Sequence, residues 1–434
     1  MDHHSVLFIL LLFLCFGLVS KRIAGTPVTP PMLFAGGGLL LREMFFGAVD
    51  FPVENMHAGG DGGWMLILLE ATLVLVLFSD AARINLRRLI NDHIVPQRML
   101  LFGMPLGIAL GGALAYVLPL GLSPFEGMLL AAILTPTDAA LGQAVLNDEK
   151  VPERIRRSVN VESGLNDGIA LPVILIIASV ASAMASHEMT NWVHFAALQL
   201  VFGPAVGIAV GYAGAKLLSR ADAHGWMSEE GEGIFSLVLA GICFLAAEAL
   251  QGNGFIAAFL GGLVFGNKLE RPCKYLFEFV ETEGQLLTLG SFFIFGALLL
   301  PPALAAFNPW HWLYGALSLT VLRMLPIALS LAGLHLKMQT KLFLGWFGPR
   351  GLASVLFVLL VISKTELTHA ETLVNIVFIT VLLSIFLHGL SAAPLAKLYG
   401  AAAAEFHGYE EHRKRGERFL RTREVRGKVR AKSR

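Results

Sequence analysis

Charge is scarce in this chain. Asp, Glu, Lys and Arg make up 15% of its 434 residues and 55% are hydrophobic, against roughly 25% charged in an average soluble domain. With a mean hydropathy of +0.67, such a chain would be hard to keep in water as a globule. Cysteine is sparse as well. Cys15, Cys243 and Cys273 stand far apart in or beside apolar runs, so they offer neither a disulfide framework nor metal-ligand spacing. The Gly-rich stretches Gly36 to Gly38, Gly203 to Gly214 and Gly261 to Gly266 lack the lysine and strand context of a phosphate loop, and they read as places where helices approach closely. The histidines are scattered, and no nucleophile–base pair stands out for an intramembrane hydrolase. No enzymatic activity, cofactor or nucleic-acid partner is expected. The run from Ser5 to Ser20 has no basic segment ahead of it, and Lys21 and Arg22 follow it. That order fits a first membrane span better than a signal peptide.

What the chain has in abundance is apolar runs of about 20 residues, the length that crosses a hydrocarbon core. About thirteen follow one another, over 4 to 20, 27 to 46, 63 to 82, 98 to 119, 124 to 146, 156 to 185, 192 to 218, 232 to 250, 253 to 267, 276 to 300, 309 to 334, 340 to 363 and 370 to 396. Cations alternate with the loops. Arg83 to Arg98, Lys150 to Arg157, Lys216 with Arg220, Lys268 to Lys274 and Lys337 with Lys341 fall on one side, while the loops between Phe51 and Gly63 and between Pro301 and Pro309 carry none. Retention of positive charge on the cytoplasmic side then predicts a multi-pass protein of the plasma membrane, its N-terminus outside and its C-terminus cytoplasmic. Residues 1–396 are then expected to form the membrane domain, with its core helices near 124–185 and 340–396. Residues 397–434 form a basic cytoplasmic tail, in which eleven Lys or Arg follow Glu405.

An odd count permits two six-helix halves, inverted about one linking helix. The fifth and twelfth spans would be mates, and both carry helix breakers at their centres: Thr135-Pro136-Thr137-Asp138 and Gly348-Pro349-Arg350-Gly351. Proline removes a backbone donor and clashes with the turn before it, freeing carbonyls that can ligate a cation. The expected fold is therefore an all-α polytopic membrane protein with a pair of broken, crossing helices.

Ionisable groups inside a membrane are expensive and mark function by default. Glu70, Asp138, Glu162, Asp167, Arg323 and Arg350 lie deep in their spans, with Asp80 and Glu248 nearer span ends. Asp138 follows the first break and would face the positive end of the second half-helix. Ser163 and Asp167 are four apart and share a helix face, with Asn166 three from Ser163. Their hard oxygens suit Na+, and a carboxylate that takes either a proton or a cation is the simplest basis of exchange. Arg350 is permanently charged and needs a carboxylate. Glu162 is the first choice and Glu70 the second, as a brace across the two breaks; no partner for Arg323 is legible.

At these residues the sequence resembles the monovalent cation:proton antiporters of NhaP type, the electroneutral sodium/proton exchangers. The resemblance is carried by Thr137-Asp138, Glu162-Ser163 with Asn166-Asp167, Gly252 to Phe259, Phe292-Phe293 before Gly296, and Gly348-Pro349-Arg350-Gly351. It implies a cation/proton site of Asp167, Asp138, the Thr137 carbonyl and Ser163, supported by Asn166, with Arg350 bridged to Glu162. It also implies a homodimer and an elevator-like movement. Asn166 and Arg350 stand where electrogenic relatives carry Asp and usually Lys, so one cation per proton is expected. Ala139 replaces a proline common in the family, which should leave the second half-helix intact. The expected activity is exchange of Na+ or Li+, with K+ as an alternative cation, for H+ across the bilayer. A cation channel or a K+/H+ exchanger is the other reading.

Overall fold

The computed structural model describes residues 3–23, 26–45, 63–84, 86, 94–146, 148–186, 189–269 and 284–405. Among them, each of the predicted spans coincides with a helix or with a pair of half-helices. These are α1 (His3–Ile23), α2 (Pro30–Phe45), α3 (Gly63–Arg83), α4 (Ile94–Val117), α5a (Pro124–Ile133), α6 (Glu153–Ser186), α7 (Met189–Ala223), α8 (Glu229–Ala249) and α9 (Gly254–Lys268). There follow α10 (Gln285–Ala305), α11 (Pro309–Ser330), α12a (Met338–Trp346), α12b (Leu352–Lys364) and α13 (Ala370–Ala403). Seven of these helices are long and apolar enough to cross a membrane, and α5a, α9 and residues 352–363 of α12b are shorter apolar helices. The cations expected at 87, 88, 271 and 274, and the tail from 406 to 434, lie outside the described residues.

Local chemistry sets the helix ends. Ser123 and Glu126 form a reciprocal capping box ahead of α5a, with Pro124 in its first turn, where proline loses no hydrogen bond. Asn253 caps α9 by accepting from the Ile256 amide at 2.9 Å. Prolines also explain two internal distortions. α4 widens into a π-turn at Met99–Gly103 just before Pro105, and α10 does so at Phe295–Leu299 just before Pro301 and Pro302. A missing amide leaves the ladder one donor short, and the wider turn absorbs the mismatch. α11 is interrupted at Thr320, between Pro309–Leu319 and Val321–Ser330.

The packing repeats once along the chain. α3 lies on α9 as α2 lies on α10, α5a packs on α4 as α12a packs on α11, and α6 and α13 are each 34 residues long. This is the pattern of two six-helix repeats joined by α7. Glycines make the closest crossings. A Cβ at Gly262 or Gly266 would land on the backbone of Phe78 or Ala82 in α3, and one at Gly296 would strike Ala35 in α2. In a membrane, where lipid tails are as apolar as leucine, such close packing is what holds helices together. Large apolar side chains such as Leu18, Phe102, Val117 and Leu245 point outward.

Both breaks form, and they meet. The chain leaves the helical path after Ile133 and after Trp346, and the two unwound segments bond to one another. The Asp138 amide donates to the Pro349 carbonyl at 2.8 Å, and the Ser354 hydroxyl donates to the Ile133 carbonyl at 2.8 Å. One expectation is corrected. The second half of the fifth span is not an intact α-helix but a 3₁₀ turn, Ala139–Gly142, followed by a single α-turn, Gln143–Leu146.

Candidate functional site

The first break and α6 build one polar cluster. Pro136 and the unwinding around it expose the Thr137 carbonyl, and the Ser163 hydroxyl of α6 donates to it at 2.6 Å. One turn on, the Asn166 Nδ2 donates to the Thr137 Oγ1 at 2.6 Å and reaches Glu162 Oε1 at 3.5 Å, while Thr137 Oγ1 reaches Glu162 Oε2 at 3.5 Å. Thr137, Glu162, Ser163 and Asn166 are all buried. The helical spacing read from sequence therefore places Ser163 and Asn166 on the broken strand of the fifth span.

Asp167 lies on the same helix, partly covered, with a buried Oδ1 that has no hydrogen-bond partner; the Asn166 Oδ1 is in the same condition. Orphaned buried oxygens are uncommon and call for an explanation. Two unpartnered acceptors on one helix are chemically suited to a bare cation or to a proton. Asp138 and Glu162 are the deep carboxylates within electrostatic reach of Asp167 expected from sequence, and Asp80 of α3 is a third. Asp80 also senses Asp138 directly. Its place near the end of α3 hid it: from spacing alone it reads as a headgroup-level charge, and only the packing of α3 against α6 and α12b brings it inward. Among the described residues no three His, Cys, Asp or Glu side chains group tightly enough to hold a metal by themselves. A cation here would need the neutral oxygens too.

Asp138 faces a helix N-terminus, though not the one expected. Its Oδ2 accepts from the amide of Leu352, the first residue of α12b, at 3.4 Å. The carboxylate therefore sits at the positive end of the other broken helix, where a negative charge is stabilised. Gly351 is required there by space: a Cβ would overlap the Asp138 carboxylate.

The brace differs from the expected one. Glu162 Oε1 pairs with Arg323 Nη2 at 2.8 Å, and both side chains are almost fully buried, 2% and 5% exposed. Arg350 does not form this ion pair. Its Nη1 turns back to the Gly348 carbonyl at 2.7 Å, its amide donates to Ser384 Oγ at 2.6 Å, and its Nε has no partner. The physical reason is position. Arg323 sits just past the interruption of α11 at Thr320, and its guanidinium packs over Gly348, where a Cβ would displace it. Arg323 thereby occupies the space between the second break and α6, leaving Arg350 to hold its own loop to α13. His388 of α13 adds to that hold, its Nε2 lying 2.9 Å from the Trp346 carbonyl. Glu70 is half-buried on α3, and the Arg350 hydrogen bonds named above go to Gly348 and Ser384. Glu248 is used locally, accepting from the Gly254 amide at 3.0 Å at the start of α9.

A helical membrane protein with repeated halves, crossing broken helices and carboxylates at their meeting point belongs to the secondary-transporter class of architectures. The chain belongs to the sodium/hydrogen exchanger family of transmembrane proteins, whose family model matches residues 6–398. It is 25% identical over 392 residues to a K+/H+ antiporter NhaP of Alkalimonas amylolytica and 28% identical over 388 residues to a K+/H+ antiporter NhaP2 of a Shewanella species, covering 88% of this chain in each case. It is also 26% identical over 304 residues, 66% of this chain and 38% of the relative, to a Na+/H+ antiporter 2 of Zygosaccharomyces rouxii. The chain spans 63% and 64% of the length of the first two relatives. Its fold matches that of the sodium proton antiporter MjNhaP1 from Methanocaldococcus jannaschii with a TM-score of 0.71 at 18% identity, over 90% of this chain and 99% of that one.

Proposed function

We propose that the protein exchanges a monovalent cation for H+ by alternating access, with the two ions competing at Asp167. The observation that carries this reading is the buried, unpartnered Asp167 Oδ1 on the helix whose Ser163 and Asn166 bond to Thr137 of the first break. Asp138 shapes the site from the N-terminus of α12b. The names of the relatives, K+/H+ and Na+/H+ antiporters, support an alkali cation as the cargo. Na+ or Li+ is the first reading from the small, hard oxygen set, and K+ is the alternative that the NhaP and NhaP2 names favour.

One cation per proton follows from a single exchangeable carboxylate: either occupant leaves the same charge on the carrier. In this reading residues 1–396 are the transport domain of a homodimer in the plasma membrane, with the N-terminus outside. The C-terminal basic segment is then cytoplasmic. Loop charge supports that orientation. The decisive experiment is dissipation of an imposed pH gradient in proteoliposomes on adding Na+, Li+ or K+, at zero and at non-zero membrane potential. Cation-dependent proton movement that ignores the potential is expected. Its absence at every pH from about 5 to 9, the range over which a perturbed carboxylate or His titrates, would remove the exchange reading. A rate that follows the potential would remove the one-to-one stoichiometry, and flux without a proton requirement would favour a channel.

A further inference from the structure

Side chains of α13 hold the second break at both of its ends. Trp346, the last residue of α12a, presents its carbonyl to His388 Nε2 at 2.9 Å, and its indole Nε1–H donates to Ser391 Oγ at 3.0 Å. Further along, the Arg350 amide donates to Ser384 Oγ at 2.6 Å, and that oxygen lies 3.2 Å from His388 Nδ1. His388 and Ser384 are both buried. The directions of these bonds follow from the groups. A carbonyl only accepts, so Nε2 carries the ring proton, and Nδ1 of the neutral ring is an acceptor. The Ser384 carbonyl, also 3.2 Å from Nδ1, is an acceptor as well and cannot be its partner. The Ser384 hydroxyl therefore donates to Nδ1 while its oxygen accepts from Arg350, and one imidazole spans the unwound segment.

The peptide between Pro349 and Arg350 passes this hold onward. Its N–H meets Ser384, and its carbonyl accepts from the Asp138 amide at 2.8 Å. This peptide is trans, so the two groups point in opposite directions. The unit is a crossbar between α13 and the first break, and it cannot turn without breaking both bonds.

Register shows what His388 replaces. Pro136 and Pro349 each stand three residues after the end of a half-helix, at Ile133 and Trp346. The residues that follow them, Thr137 and Arg350, are each met by a serine hydroxyl of the 34-residue helix in the same repeat, Ser163 or Ser384. Four positions beyond those serines, on the same helix face, lie Asp167 and His388. In the first repeat that position keeps an oxygen without a partner. In the second, a ring closes on the protein's own groups with both nitrogens.

We infer that His388 takes, in the second repeat, the place that Asp167 has in the first, and that with Ser384 it is a positioning residue for the cation site. The pair fixes the Pro349–Arg350 peptide and, through it, Asp138. For its effect on transport this role rests on the exchange reading; the hold on Asp138 does not.

Ser384→Ala and His388→Leu each remove one link, and the full chain in detergent is compared with the wild type by hydrogen–deuterium exchange. Exchange should quicken about fivefold, the effect of one lost hydrogen bond, in residues 345–352 and also in 134–142, which the Pro349 carbonyl ties to the clamp. In proteoliposomes the same variants should raise the apparent KM for Na+ or K+ about fivefold and leave the maximal rate nearly unchanged. The double variant should do no more than either alone, because both links serve one path. A clamp that only stabilises the fold would lower the melting temperature and leave both the KM and the exchange of 134–142 as in the wild type. That result, or additive effects in the double variant, would overturn the assignment. Should His388→Leu fail to fold, Ser384→Ala, which deletes a single oxygen, decides alone. Deuterium uptake does not depend on transport, so a wild type without cation-dependent proton movement would remove the exchange reading and leave the hold on Asp138 to be decided by exchange.

Discussion

Removing Arg323 should damage the protein far more than the loss of one hydrogen bond implies. The Arg323–Glu162 pair is 2.8 Å long with both partners nearly sealed from solvent. At that separation an effective dielectric constant of about 20 gives roughly 6 kcal/mol of attraction, most of it spent against desolvation. The net value of the pair is thus small, but breaking it leaves Glu162 buried and uncompensated. Such losses are typically about 3–5 kcal/mol. Thr137 and Asn166, each 3.5 Å from the carboxylate, are too distant to make up the difference. Arg323→Ala should therefore lower the melting temperature in detergent by several degrees. Glu162→Gln in the same chain should recover most of the loss, because the stranded charge is gone. Arg350→Ala should show a much weaker coupling to Glu162→Gln in the same cycle. Wild-type melting of Arg323→Ala, or energetic coupling of Glu162 to Arg350 rather than to Arg323, would refute this assignment of the pair.

Asp167→Asn should abolish cation-dependent proton movement in proteoliposomes while leaving the melting temperature equal or higher, since a carboxyl whose buried Oδ1 has no hydrogen-bond partner is replaced by a neutral amide; a matching loss of fold would mean that Asp167 is structural. Gly351→Ala should push the Asp138 carboxylate off the amide of Leu352 and raise the apparent KM for the cation about tenfold, the equivalent of roughly 1.4 kcal/mol, with the maximal rate less affected. Unchanged KM would show that Asp138 does not shape the site. Glu126→Ala removes a capping box and the contacts to the His369 amide and Nδ1 at 3.0 and 2.9 Å; a loss of about 1–2 kcal/mol is expected, read as a lower melting temperature, and wild-type melting would refute it.

How far the sequence revealed these features depended on whether the signal was local. Span positions were legible because each needs only its own run of apolar residues, and the breaks because proline acts on its own turn. Ser163, Asn166 and Asp167 share a helix, so periodicity placed them, and the proline beside Thr137 marked the carbonyl that Ser163 meets at 2.6 Å. Arg323 and Glu162 are 161 residues apart, and two buried arginines compete for one carboxylate. Nothing in composition distinguishes them; the interruption of α11 at Thr320 and the bare Cα of Gly348 do. Asp80 was ambiguous for the same kind of reason, since its depth is set by what α3 packs against.

Asp138 carries the argument one step further. Sequence places it after its own break, where an intact second half-helix would supply the positive end it faces. The structure leaves that half as a 3₁₀ turn and one α-turn, too short to gather a useful dipole. α12b, with 13 residues, is long enough, and Asp138 has moved its allegiance there. Each break is thus completed by the other: the Asp138 amide bonds to Pro349 while the carboxylate caps Leu352. A shift of either half-helix relative to the other must change the field at Asp138 and, through it, the charge that Asp167 senses. Coupling of that kind needs no relay of side chains, because the two broken helices share their ends.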